Sequence, residues 1–142
     1  MSFINSIIKV FVGDKSQKDV KALQPYLNKI KTFEAPLMSL TNDELRGRTV
    51  YFKDRIKEAR AEKDAKIASL KAEVENIEDI DKREDIYDAI DALEKEAYEI
   101  SEKTLMEILP EAFSVVKETA RRFKENSHIE VTATPKDREF SA

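Results

Sequence analysis

From Leu45 to Ile77 the apolar or small positions advance in steps of four and three: Leu45, Thr49, Phe52, Ile56, Ala59, then across Lys63 to Ile67, Leu70, Val74 and Ile77. This is a heptad pattern with one four-residue stutter at Lys63, and it commits the middle of the chain to a long helix with one apolar seam. Asp81-Lys82-Arg83-Glu84 offers an Asp N-cap for a return helix, whose seam is Ile86, Ile90, Leu93, Ala97 and Ile100. Two long seams joined by a short turn at residues 76–80 are buried most economically as an antiparallel helical hairpin. The fold class expected is therefore all-α: a long antiparallel, coiled-coil-like hairpin at 42–77 and 81–101, with additional packed helices and an irregular C-terminal tail.

Composition agrees. Of 142 residues 38% are charged, only two are Gly and none is Cys, where soluble chains average about 25% charged and about 7% Gly. A β-sandwich, a glycine-rich nucleotide loop and a disulfide scaffold are excluded. One His and no Cys leave no thiolate chemistry or zinc–thiolate site, so composition disfavours an enzyme. The length allows one domain, residues 1–142, and no apolar run approaches the roughly 20 residues of a membrane-spanning helix.

Outside the hairpin, residues 2–12 read as an amphipathic helix with Phe3, Ile4, Ile7, Ile8 and Phe11 at helical spacing and Lys9 turned away. Gly13-Asp14 is expected to break it, with Lys15 following. A second helix is expected at 16–34, capped by Ser16 and strained by Pro25. From Met1 to Phe33 there are six Lys against two Asp, the combination of a helix lying in the interface of an anionic bilayer; docking on a partner or on its own domain is the competing reading. Without a small-residue cleavage site, the segment reads as retained rather than as a signal peptide.

Thr41-Asn42-Asp43-Glu44 is a capping box opening the first hairpin helix. Thr104 with Glu107 resembles a second, opening a last helix at 104–124 marked by Leu105, Leu109, Ala112, Val116, Ala120 and Phe123. In the tail, 125–142, Ile129 to Thr134 alternates like a short strand and Pro135 to Glu139 reads as a polar turn. The end on Ser141-Ala142 suggests a piece of something longer. His128 reads as a tail histidine, and Asp79-x-Asp81-x-Arg83 begins like a calcium loop but lacks the third ligand and the glycine. The N-terminal lysines lack interleaved stacking aromatics, and with an acidic chain overall, nucleic acid is not an expected partner.

Three stretches carry a family resemblance. Leu40-Thr41-Asn42-Asp43-Glu44-Leu45-Arg46-Gly47-Arg48-Thr49, followed by Phe52 and Arg55, resembles an N-terminal helix of the SecA family, the motor ATPases of bacterial preprotein translocation. Leu109-Pro110-Glu111-Ala112-Phe113-Ser114-Val115-Val116-Lys117-Glu118, with Ala120 and Arg121-Arg122, resembles the family's "L-P-E-A-F-A-V-V-R-E" helix, and Ile8-Lys9-Val10-Phe11-Val12-Gly13 with Lys15 resembles its opening. Where most members join the two motif helices by a short linker, Ala59 to Ser101 intervene here, like a lineage-specific insertion. The segment from Lys124 to Ala142 matches neither the adenine-reading stretch nor the Walker A loop that follow in the family.

The resemblance implies an N-terminal fragment of a translocation motor, with no catalytic, cofactor-binding or metal residues of its own; ATP and Mg belong to the parent. It implies contacts with acidic phospholipid, the SecYEG translocon and a second protomer, with secretory preproteins reached through the parent. It places the protein in the cytoplasm, peripheral at the inner face of the plasma membrane. The contact residues expected are Phe3, Ile4, Ile7, Ile8 and Phe11 as the apolar face and Lys9 and Lys15 at lipid headgroups. The reading from a different class is a free-standing helical-hairpin adaptor.

Overall fold

A computed structural model describes the backbone of residues 3–141 and the side chains of residues 18–141. Four helices follow one another: α1 (Phe3–Met38), α2 (Asn42–Val74), α3 (Ile80–Glu125) and α4 (Pro135–Phe140). No strand occurs among the described residues. Where one domain was expected, contacts group the chain into two compact units, one of residues 42–109 and one of residues 1–41 with 110–142.

The unit of residues 42–109 is the hairpin. α2 begins at Asn42, one residue after Thr41, as the expected cap position requires. Its seam meets that of α3 in a cluster of Ile67, Ile90 and Ala97, with Leu70, Ile86 and Leu93 packed against it. Cross-helix ion pairs show the chain direction: Arg55–Glu107 at 3.4 Å, Lys63–Glu96 at 2.5 Å and Lys71–Glu94 at 2.7 Å. As positions rise along α2 their partners fall along α3, so the two helices are antiparallel. At the stutter, the half-buried Lys63 pairs its ammonium with Glu96.

The turn corrects the expected cap. α3 starts at Ile80, and the Asp79 carboxylate accepts hydrogen bonds from the backbone N–H of Asp81 (3.1 Å) and Lys82 (3.4 Å). Asp79, not Asp81, satisfies the orphan donors of the helix start. This also accounts for the acidic pair that resembled a calcium loop.

Two other expected breaks are absent. α1 is one helix through Gly13 and Pro25, without the break expected between 2–12 and 16–34; a single glycine costs only about 1 kcal/mol in a helix and does not end one by itself. α3 is likewise continuous through 101–104. The Thr104 hydroxyl donates to the Ile100 carbonyl (2.8 Å) and Ser101 to that of Ala97 (2.9 Å), so both hydroxyls bond back to the preceding turn instead of capping a new helix. Glu107, expected to close that box, pairs with Arg55.

In the tail, residues 129–134 form no strand, because there is no second strand to pair with. The expected polar turn is α4, opened by a capping box: Thr134 Oγ1 accepts from the Asp137 N–H, and the Asp137 carboxylate accepts from the Thr134 N–H at 2.8 Å. Pro135 at the first helical position supplies a preset φ.

Candidate functional site

The unit of residues 1–41 and 110–142 is organised by a polar face of α3. Of the six positions that apolar spacing marks on this stretch, Leu109 and Ala112 are half-buried, but Leu105, Val116, Ala120 and Phe123 are exposed. The buried polar residues of α3 are Thr104, Glu111, Ser114, Glu118 and Arg122. Ser114, Glu118 and Arg122 are four residues apart and share one side of the helix, and together they hold the end of α1.

The need is local to α1. Its last turn contains no basic residue, so its terminal carbonyls and the negative end of its dipole have no nearby cation. Arg122 supplies one from 85 positions away: its Nη2 donates to the carbonyls of Leu37 (3.2 Å) and Leu40 (2.7 Å). Upstream, the Ser114 hydroxyl lies 2.6 Å from the Ile30 carbonyl, and Lys117 pairs with Glu34 at 2.6 Å. These partners rise together along both helices, so α1 and this part of α3 run parallel. Leu37, beside the anchored carbonyls, is 3% exposed.

Glu118 holds the arginine in place. Its carboxylate accepts from Arg121 Nε and Nη2 (2.8 and 2.7 Å) and from Arg122 Nε (2.8 Å), while Arg121 reaches on to Glu125. The Arg121 hydrogen bonds first, and then those of Arg122, hold the Glu118 carboxyl well below the usual carboxylate range, at about 2, against the opposing effect of burial. Arg121 is correspondingly held above its ordinary value by Glu118. The pair stays ionised throughout the physiological range, so this is a fixed electrostatic clamp and not a proton-transfer site.

Phosphate-binding loops need glycines in non-helical backbone with N–H groups converging on the anion, whereas Gly13 and Gly47 both lie inside helices. Among the described residues no group of three His, Cys, Asp or Glu side chains could hold a metal ion. No chemical step is assigned to these residues. His128 is exposed, its Nδ1 3.2 Å from the Ser127 hydroxyl.

The expected contact residues Phe3, Ile4, Ile7, Ile8, Lys9, Phe11 and Lys15 lie on the continuous backbone of α1, and their side chains fall outside those described. Sequence reasoning missed the clamp, although a signal was available. Glu118 and Arg122, like Arg121 and Glu125, sit at i,i+4 spacing, and Ser114 extends the polar line by one turn, opposite a helix end that lacks a cation.

No helix among the described residues is long and apolar enough to cross a membrane. Residues 8–134 match the model of the SecA DEAD-like domain. The chain is 73% identical over its whole length to the protein translocase subunit SecA of Flavobacterium psychrophilum, 53% to that of Christiangramia forsetii and 46% to that of Phocaeicola vulgatus. These alignments take in the hairpin, and the chain spans about 13% of the length of each of these curated relatives. No solved structure matches it significantly. With its hairpin and its polar-faced "L-P-E-A-F" helix in one continuous match, this chain belongs to the SecA family.

Proposed function

We propose that the chain is the N-terminal portion of an ATP-driven protein-translocation motor, and that its own contribution is attachment rather than catalysis. The observation that carries this reading is the match of the whole chain to about an eighth of relatives named protein translocase subunit SecA. ATP with Mg then belongs to the remainder of the motor, as do secretory preproteins.

The attachment is made by the start of α1. Phe3, Ile4, Ile7, Ile8 and Phe11 form the apolar face, and Lys9 and Lys15 meet acidic headgroups; the same segment serves contacts with SecYEG and with a second protomer. An interfacial helix needs an apolar face, basic flanks and a rigid connection to its body, and the Arg122 clamp on Leu37 and Leu40 supplies a rigid connection. The location that follows is the cytoplasm, peripheral at the inner face of the plasma membrane.

Vesicle flotation tests the reading. The chain should float with anionic vesicles at low salt, lose binding at high salt, and ignore neutral vesicles. Ile7→Asp with Ile8→Asp should abolish flotation while leaving the far-UV circular dichroism nearly unchanged. Equal flotation by variant and parent removes residues 2–15 from the account.

A further inference from the structure

The hairpin carries a face that its own core does not use. Ile80, Tyr87, Tyr98 and Leu105 follow one another along α3 at intervals of 7, 11 and 7, which at about 3.6 residues per turn keeps all four within about 20° of one line. All four belong to the unit of residues 42–109. The line lies about 100° around the helix from the seam residues Ile86, Ile90, Leu93 and Ala97, and its members are 78%, 47%, 64% and 45% exposed. Single exposed apolar side chains are ordinary, but an aligned strip of two tyrosines, an isoleucine and a leucine over about 37 Å marks an interaction surface. At the Ile80 end an open depression lies between Ile80, Arg83, Glu84, Tyr87 and Asp88.

The two flanks of the strip differ in charge. On the flank away from the seam stand Asp81, Glu84, Asp88, Asp91, Glu99 and Glu102 against Lys95 alone, every one of them exposed. Among the described residues none of these six carboxylates is in an ion pair, whereas Glu94, on the flank toward α2, is paired with Lys71 at 2.7 Å. Carboxylates side by side repel one another, and cations placed among them relieve the repulsion. The acids accompany the strip from residue 81 to residue 102 instead of gathering at one end.

We infer that the hairpin is a docking arm for a cationic amphipathic helix of a partner protein, which lays its apolar stripe along Ile80, Tyr87, Tyr98 and Leu105 and its lysines or arginines along the acidic flank. A helix offers no sheet edge, so an extended segment gains no backbone hydrogen bonds here, while a second helix can follow the strip over its length. An anionic bilayer and a nucleic acid are both repelled by the six carboxylates. Because the acidic charge is spread along the strip, the partner's cations recur along its helix instead of clustering at one terminus. The contact lies wholly within the hairpin, so it is separate from the attachment at the start of α1, and it assigns a role to the segment that intervenes between the two motif helices.

Fluorescence anisotropy tests it, with the 142-residue chain titrated into a labelled synthetic Leu/Lys helix whose lysines line one edge of a leucine face. Saturable binding that weakens with salt is expected, because opposed surface charges are screened. A Ser/Lys peptide, a Leu/Glu peptide and a peptide of the same Leu and Lys content with its lysines gathered at one end should each bind more weakly. Tyr87→Ser with Tyr98→Ser should weaken binding by at least about tenfold, with melting unchanged because both positions are exposed. Glu84→Gln with Asp91→Asn should lower the affinity and flatten its salt dependence, whereas Glu73→Gln with Asp85→Asn, the same change of charge on other faces of the hairpin, should bind as the parent does. No binding, binding indifferent to the tyrosine pair, equal losses in the two charge pairs, or equal affinity for the one-ended peptide overturns the proposal. Flotation of the tyrosine variant on anionic vesicles should match the parent, and its loss would place these tyrosines in the membrane contact instead.

Discussion

Replacing Arg122 by methionine removes the guanidinium that caps α1 while keeping most of the apolar stem. Two hydrogen bonds from a charged donor to the Leu37 and Leu40 carbonyls disappear. Each such bond contributes about 1.5–3 kcal/mol, but both share one nitrogen and are not independent. Glu118 loses one partner and keeps Arg121, so its buried carboxylate is not orphaned. The loss therefore falls at the low end of the 3–5 kcal/mol typical of a broken buried pair, at about 3 kcal/mol. Urea unfolding followed by circular dichroism gives the total, and amide hydrogen exchange gives its location. Protection should fall at residues 30–38 and be retained around Ile67 and Ile90, because the clamp touches only the end of α1. Lys117→Met, which breaks a solvent-exposed pair with Glu34, is the control and should cost under about 1 kcal/mol. An Arg122→Met loss no larger than the control, or one spread equally through the hairpin, refutes the clamp.

Glu118 makes stability depend on acid. Its carboxyl is depressed to about 2 in the folded chain, against about 4.3 when unfolded. The stabilisation is complete above the unfolded value and is lost as pH falls through the folded one; it is of order 2 kcal/mol after allowing for the solvent that reaches Arg121. Melting between pH 5 and pH 2 should show this loss in the parent and a flatter curve in Glu118→Gln. Ile90, 2% exposed at the centre of the hairpin seam, should cost about 2–5 kcal/mol when cut to alanine; a cost below about 1 kcal/mol in urea would deny the seam. Asp79→Ala should cost about 1 kcal/mol and fray the start of α3, visible as faster exchange at the Asp81 and Lys82 amides, whereas unchanged exchange there would remove the cap.

Most of the fold was legible because it is local and periodic. The steps of four and three along α2 and the Ile86 to Ile100 seam of α3 each lie within one helix, and burying two such seams across a short turn has one economical solution. The family, too, was legible in three short motifs. Helix boundaries were less so: Gly13, Pro25 and Thr104 carry break or cap signals that α1 and α3 override, since a hydroxyl can bond back to the preceding turn as readily as it caps a new one.

By itself the sequence determined the helical class, the hairpin, the cationic start and the acidic middle, because each depends on neighbours at most a turn or two away. Only the tertiary structure decided which face of the "L-P-E-A-F" helix is buried. Apolar spacing pointed to Val116 and Phe123, but the carbonyl end of α1 lacks a cation of its own, and satisfying those carbonyls turned Ser114, Glu118 and Arg122 inward. That requirement links residues more than eighty positions apart, and no pattern within one helix records it.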